Sequence, residues 1–562
     1  MILVLFTWLI AGFSLLMIGF FTTKIINRFA GRNQVVGASS PDEIFFMGFM
    51  IVSVFSGLIS VLLPVNGIML LIVTALSLVI LVFYRNELKL VFKENLLIIK
   101  SFSRIELLLI LFVILFVLSA VVHRITLGDT ESYHAQSIQW IRKFPVVPGL
   151  GNIHGRLAFN SMFFVISGLF TFQADDVLIY PLNGICYLVV AIRLVTLGFN
   201  EFRNGIYWRG LFYILLMLIS VLILLPDLNS PAPDVICSII IIYVVTMVVN
   251  NRIHLKTIDC QKYILLSLAV FTCLSYKLSS LFLIFIIIPA LGKTFFRRIV
   301  LSAGIGVIVL SSFFIRNYYL SGYLVYPYPK ADIFKTDWKI PINNVHEMKI
   351  EIENWARIPS VPSSEISKMG LQGWVPVWFK ALNFYNKLLV AVNLFLFLLI
   401  PVSLFRKDYL ISGIQFIILI NLAFWFIMAP DPRFSYGFLF SGFAFSIAYF
   451  SGLFEKSIPG VFPKLTKIGL ICFIVVIIGR RIMSPVGTII NPDLWLVPDK
   501  FGTVSTNEYD AGFKYRVPVE DRGCCNTDLP CVPYQLSDVV LRGKDLQDGF
   551  KVLISNKNYP NE

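Results

Sequence analysis

The chain has 562 residues, 57% of them hydrophobic and only 14% charged, with a formal net charge of +14. With a mean hydropathy of +0.80, that balance excludes a soluble protein of this size and requires many apolar runs near membrane-spanning length. The positive charge belongs to loops between apolar runs, so it reads as cytoplasmic-side bias and not as a nucleic-acid surface.

Apolar runs follow one another at roughly 1–23, 44–63, 67–84, 107–122, 177–192, 210–226, 235–250, 263–276, 278–292, 299–315, 388–405, 409–429, 434–454 and 468–479. The first has no basic lead and no small-residue cleavage site, and reads as a span and not a removed signal. Basic residues set the orientation. Lys24, Arg28 and Arg32 mark one cytoplasmic loop, and Arg85, Lys89, Lys93, Lys100 and Arg104 mark the next. Arg203 and Arg209, then Arg252, Lys256 and Lys262, then Lys293, Arg297 and Arg298, then Arg406 and Lys407 continue the pattern. This parity holds only if Leu157–Ala174 does not cross and instead lies in, or re-enters, the outer interface. The last run, near 468–479, has Arg480 and Arg481 on its outer side.

The external segments are then 123–176, 226–234, the turn at Lys277, 316–387, 430–433 and 486–562. All the unusual polar motifs lie in them, which implies one outward-facing site. In order, the first is Gly128-Asp-Thr-Glu-Ser-Tyr-His-Ala-Gln-Ser-Ile-Gln-Trp140, directly after an apolar run. From Thr130 to Phe144, residues Tyr133, Trp140, Ile141 and Phe144 share one face of an amphipathic helix at the membrane surface. Asp129, Glu131 and His134 are spaced to converge on one proton or one cation, and Asp-x-Glu is a common arrangement for a divalent ion. The plainer alternative is a surface helix with solvated acids.

His154-Gly-Arg156 ends a turn-rich segment, and Arg156 offers the forked donors that phosphate favours. Asp234 either caps a helix or serves the site. Lys277 interrupts the apolar stretch 263–292, and a lysine within a membrane is a functional hypothesis by default, although snorkelling costs little. Arg316 opens an aromatic-belt sequence that needs no catalytic explanation. Arg433, in Pro-Asp-Pro-Arg-Phe434, serves either topology or phosphate.

Four of the eight cysteines, Cys186, Cys237, Cys273 and Cys472, fall in or beside apolar helices and behave there as small hydrophobes. Cys260 sits in a basic loop. The tail motif Gly523-Cys-Cys-Asn-Thr-Asp-Leu-Pro-Cys531 lacks a histidine to complete a zinc set. A disulfide from Cys531 to Cys524 or Cys525 fits better and places the tail in an oxidising compartment.

This order of parts resembles the GT-C superfamily of integral-membrane glycosyltransferases, which use polyprenyl-phosphate-linked sugars at the outer membrane face. The superfamily's acidic motif in the first external loop is matched by Asp129 and Glu131, and its juxtamembrane helix by His154–Phe172. Asp-Thr-Glu-Ser-Tyr-His, His-Gly-Arg-Leu-Ala-Phe-Asn and Pro-Asp-Pro-Arg-Phe are most similar to an uncharacterised family of bacterial polytopic proteins of GT-C type. The resemblance implies an all-α, GT-C-like bundle of about 13–15 transmembrane helices. N-terminal helices would fill 1–104, the core 105–485, and an extracytoplasmic tail 486–562.

The expected activity is sugar transfer from a polyprenyl-phosphate donor to a glycan or glycolipid acceptor, in a bacterial inner membrane and among membrane lipids. Asp129 would be the general base, with Glu131 and His134 positioning the acceptor or a divalent metal. His154, Arg156, Asn160, Asp234, Lys277, Arg316, Asp431 and Arg433 are the candidate substrate- and phosphate-binding residues. The rival classes are a transporter or flippase of lipid-linked or anionic substrates, which should show repeats with broken helices at the midplane, and a non-catalytic envelope assembly protein.

Overall fold

Hydrophobic runs too long for loops have only one stable form in lipid, because each backbone polar group must bond within its own segment. The computed structural model describes residues 1–31, 39–174, 177–251, 255–359, 361–454, 491–520 and 523–553. The expected run at 468–479 with its flanking Arg480 and Arg481, as well as Arg32, Arg252 and Cys472, lies outside the described residues.

The first helices are α1 (Ile2–Phe29), α2 (Pro41–Ile59), α3 (Gly67–Phe83), α4 (Arg85–Lys100) and α5 (Arg104–Val121). After a polar loop come α6 (Ala135–Lys143), α7 (Met162–Leu169), α8 (Leu182–Arg203), α9 (Tyr207–Leu224), α10 (Pro233–Asn250), α11 (Cys260–Tyr276) and α12 (Phe295–Ser321). The second half holds α13 (Ile342–Arg357), α14 (Ser363–Ile366), α15 (Leu371–Ala381), α16 (Phe384–Leu394), α17 (Leu396–Phe405), α18 (Tyr409–Met428) and α19 (Tyr436–Phe454). Antiparallel strand pairs β1 (Phe172–Ala174) with β2 (Val177–Ile179), β3 (Thr506–Asp510) with β4 (Lys514–Pro518), and β5 (Val539–Leu541) with β6 (Phe550–Val552) are the only sheet among the described residues. This is an all-α polytopic membrane protein.

Among the described residues, ten helices are long and apolar enough to cross a membrane, or eleven if the bent pair α3–α4 counts as one span. Of the expected runs that are not among these ten, 468–479 lies outside the described residues, and the others differ for two reasons. First, α4 turns 87° away from α3, so the basic stretch expected as a loop is a helix running across the end of the bundle. Second, Lys277 splits a long apolar stretch into α11 and a 3-10 helix, Leu278–Ala290, each below the span length. The rise of a 3-10 helix, about 2 Å per residue, lets the shorter piece still run most of the way across. Arg298 ties the two far ends together, donating to Ile258 O and to Ala290 O.

Caps and close contacts fix the ends. Ser103 and Glu106 form a reciprocal capping box at the start of α5, and Asp259 caps α11 by accepting from Lys262 N at 2.8 Å. Gly19 and Gly48 allow α1 and α2 to touch backbone to backbone, because a Cβ on Gly48 would sit 1.8 Å from Leu15 O. Ion pairs gather at the end of the bundle away from the polar loops: Glu43–Lys262 at 3.2 Å, Glu106–Arg203 at 2.7 Å and Glu201–Arg209 at 2.8 Å. The N-terminal helices are part of the main bundle, with α2 packed on α7, α11 and α12.

Two expected interfacial helices are placed differently. Every residue of α7 is buried, so Leu157–Ala174 folds as a short plug into the bundle followed by a β-hairpin. It does not cross. In α6 the residues Ala135, Gln136, Ser137, Ile138, Trp140 and Ile141 are all buried. Its polar side is covered by the C-terminal lobe (491–520 and 523–553), so α6 is an internal helix and not a surface one.

Candidate functional site

Asp129 stands at the start of a single π turn, Thr130–His134, which runs straight into α6. The wider repeat of a π turn brings residues i and i+5 together. Asp129 and His134 therefore face the same cleft. Glu131, two residues beyond Asp129, turns the other way, as i, i+2 pairs do, and pairs with Arg124 at 3.6 Å. The expected convergence of Asp129 and Glu131 on one metal ion is thus not what the turn provides. Among the described residues no three His, Cys, Asp or Glu side chains come together in a metal-holding group.

The cleft holds about 420 Å³, within the range of about 300–1,000 Å³ usual for small-molecule sites. Its walls come from far-apart segments: the π turn, the 3-10 turn with Arg156, the start of α10, the Lys277 break, the outer end of α12, α13, and the approach to α19. Tyr133, Phe159, Phe164, Tyr326, Trp355 and Phe434 supply much of its aromatic surface.

Charges inside are matched pair by pair. Asp129 lies 3.3 Å from Arg433 and 3.8 Å from Arg156. Arg156 also meets Glu351 at 2.9 Å, and Arg433 meets Asp431 at 3.1 Å. Lys277 pairs with Asp234 and lies 3.5 Å from the Phe434 ring centroid. Burial tends to raise the Asp129 pKa, but His134, Arg433, Arg156 and Lys277 together outweigh it and hold the carboxyl below its ordinary 3.8. Burial brings the His134 imidazole down to about 4. At neutral pH His134 is therefore uncharged, and the two arginines and the lysine keep Asp129 ionised. The imidazole Nδ1 is 3.2 Å from Thr130 Oγ1.

A family model described as Domain of unknown function (DUF8201) matches residues 1–440. The chain belongs to this family. No curated protein and no solved structure matches it. The matched span includes every lining residue of the DUF8201 cleft and leaves the C-terminal lobe outside.

Of the residues singled out in the sequence, Asp129, His134, Arg156, Asn160, Asp234, Lys277 and Arg433 line the DUF8201 cleft. Asp431 stands directly behind Arg433, accepting from its backbone N at 2.9 Å. Glu131 stands outside, on the Arg124 side. His154 is buried under the C-terminal lobe, with Nδ1 at 3.3 Å from Tyr534 Oη. Arg316 is buried beneath the wall, donating to Asn160 Oδ1 at 3.3 Å and to Ser60 Oγ at 3.1 Å; it supports Asn160 and does not reach the cavity. Asp234 does not cap α10, whose N-cap position is Ala232.

Glu351 and Trp355 are lining residues with no sequence signal. They lie in the long loop 316–387, where nothing local distinguishes Glu351 from its acidic neighbours. Only the folding of α13 over Arg156 selects it. The Trp355 ring lies 5.2 Å from the Arg433 guanidinium, a cation–π contact that closes the same side.

Proposed function

We propose that this protein is a membrane glycosyltransferase of GT-C type, transferring a sugar from a polyprenyl-phosphate-linked donor to a glycan or glycolipid acceptor at the outer face of a bacterial inner membrane. The observation that carries the reading is Asp129, an ionised carboxylate in an aromatic-walled cleft beside Arg156, Lys277 and Arg433. Aromatic faces suit sugar rings and prenyl chains alike, and guanidinium and ammonium groups suit a phosphate.

In this scheme the Asp129 carboxylate takes the proton of an acceptor hydroxyl as its oxygen attacks the anomeric carbon. The bond from that carbon to the donor phosphate oxygen breaks, and the lipid phosphate leaves with the bonding pair. Its added negative charge is met by Arg156, Lys277 and Arg433, which strengthens their hold in the transition state. Since every cation already has a carboxylate partner, the phosphate must displace one. Glu351, half exposed at the rim with 51% of its side chain accessible, is the displaceable partner, whereas Asp234 and Asp431 are held at 18% and 15%.

The transporter reading draws support from the broken span at Lys277, paired to Asp234. Against it, the cleft charges sit where helices end, at the start of α10, after α11 and before α19. The test is transfer by the purified protein in nanodiscs supplied with synthetic polyprenyl-phosphate sugars, following release of the polyprenyl phosphate. Release that depends on acceptor and disappears in Asp129→Asn supports the proposal. Movement of the lipid across the bilayer without release would favour the flippase.

A further inference from the structure

The π turn is held from behind by a part of the chain that the cleft itself does not use. Ala135 N–H donates to Thr130 O, the bond that defines the turn. This shift leaves Glu131 O to an outside donor, and it receives the Cys525 N–H at 2.7 Å. One turn later Gln136 Nε2 donates to Cys525 O at 3.2 Å and to Thr527 O at 2.7 Å, and Gln139 Nε2 donates to Asn526 Oδ1 at 2.6 Å. Gly523, with φ +75°, lies so close that a Cβ there would be 2.7 Å from Ser132 Cα.

The loop that makes these contacts is itself closed by the Cys524–Cys531 disulfide, and all of Cys524, Cys525 and Cys531 are buried. It is anchored to β4 by Arg516 N–H to Pro530 O at 2.9 Å and Val532 N–H to Arg516 O at 3.0 Å. A second strap grips the chain just before the turn: Asp499 N–H donates to Val122 O at 2.8 Å, and Arg124 N–H donates to Asp499 Oδ2 at 3.1 Å. The lobe therefore fixes the segment on both sides of Asp129 while supplying none of the cleft's lining residues. A π turn needs such help, because the α-helical ladder that would replace it keeps its bonds in better register.

We propose that the disulfide-closed loop 524–531 is a positioning brace that selects the π over the α form of the Asp129 turn and so aligns Asp129 with His134 in the cleft. An α turn in its place would rotate Asp129 relative to His134, because i and i+5 no longer coincide. The catalytic consequence rests on the glycosyltransferase reading; the conformational one does not. Gln136 and Gln139 are positioning residues in this scheme, and the cysteine pair makes the site dependent on oxidation of the lobe.

The experiment uses the full-length protein in nanodiscs and two independent lesions, Cys524→Ser with Cys531→Ser, and Gln136→Leu. Hydrogen–deuterium exchange is followed in peptides covering 127–139, and glycosyl transfer is measured in parallel. Arg542→Ala, which breaks a pair between the lobe and Asp337 of the loop 316–387 at 2.9 Å, away from the brace, is the control. Loss of the bracing bonds should speed exchange in 127–139 by roughly tenfold, with the control unchanged. Transfer should fall in kcat by ~10²-fold, the cost of misplacing a reacting group, with KM for the donor little altered. If the cysteine variant fails to fold, Gln136→Leu alone decides. Unchanged exchange in 127–139, or equal acceleration in Arg542→Ala, overturns the brace. Faster exchange in the variants alongside no transfer by the unaltered protein upholds the brace and removes the glycosyltransferase reading instead.

Discussion

At the scale of single residues, the site is governed by which carboxylate keeps its charge. Asp129, with its pKa held below 3.8, is ionised throughout the physiological range, so if it is the base of the proposed transfer, kcat/KM should show no acidic limb between about pH 5 and 7 attributable to it. Asp129→Asn preserves size but not basicity, and should lower transfer by about 10²–10⁴-fold without loss of membrane-inserted protein. Full activity in a lipid-linked sugar assay would mean that Asp129 is not the base. Glu351 and Arg156 should act in opposite directions. In the proposed transfer, Arg156→Ala removes a phosphate partner and should raise KM for the donor, whereas Glu351→Gln frees Arg156 from its carboxylate at 2.9 Å and should lower it. A rise in KM for Glu351→Gln, measured by steady-state titration of donor, would assign Glu351 a direct role in holding substrate. None of this pairing is visible in the linear sequence, because Glu351 and Arg156 meet only through the fold.

At the scale of elements, two contacts decide the arrangement. The backbone approach of α1 and α2 at Gly19 and Gly48 has no space for a side chain. Gly48→Leu should separate these helices and destabilise the protein by about 1–3 kcal/mol or more, read as a lower melting temperature in detergent. Buried imidazoles in the polar loops give a second effect. Burial lowers His134 to about 4 from 6.5, and burial together with Arg156 lowers His154 to about 3 from the same value. Above pH 6.5 both folded and unfolded chains carry neutral imidazoles, and nothing is lost. As pH falls from 6.5 toward 4, the unfolded chain gains protons that the folded one refuses, so stability declines. Thermal melts between pH 7.5 and 4.5 should show this fall, and the slope should flatten in His154→Gln. A slope unchanged by that substitution would show that His154 does not drive it.

At the scale of the whole molecule, basic ends and polar loops segregate to opposite poles of the bundle. Cysteine-accessibility labelling should find positions near Asp129, Asp431 and the C-terminal lobe reactive from the outside, and positions in α4 reactive only after permeabilisation. The lobe and the acidic loop touch directly, through Cys525 and Glu131, so they must label from one side. Labelling that divides them would contradict the fold itself, while labelling both from the cytoplasm would remove the outward-facing site.

The sequence by itself determined the class of this protein. Apolar runs of spanning length leave a chain no alternative to helices in lipid, and its loop charges give the expected direction of each helix, which labelling tests. The acidic turn and the lysine break were also legible, since charges beside or within such runs are costly enough to stand out. Pairing was not. That Asp129 aligns with His134 and diverges from Glu131 depends on one π turn, whose carbonyl is satisfied by an N–H from Cys525, hundreds of residues away. That His154 and Arg316 are buried supports while Glu351 and Trp355 line the cleft depends on how α13 and the C-terminal lobe settle on the bundle. Local spacing reports the period of one helix; only tertiary contact decides which turn form survives and which charges meet.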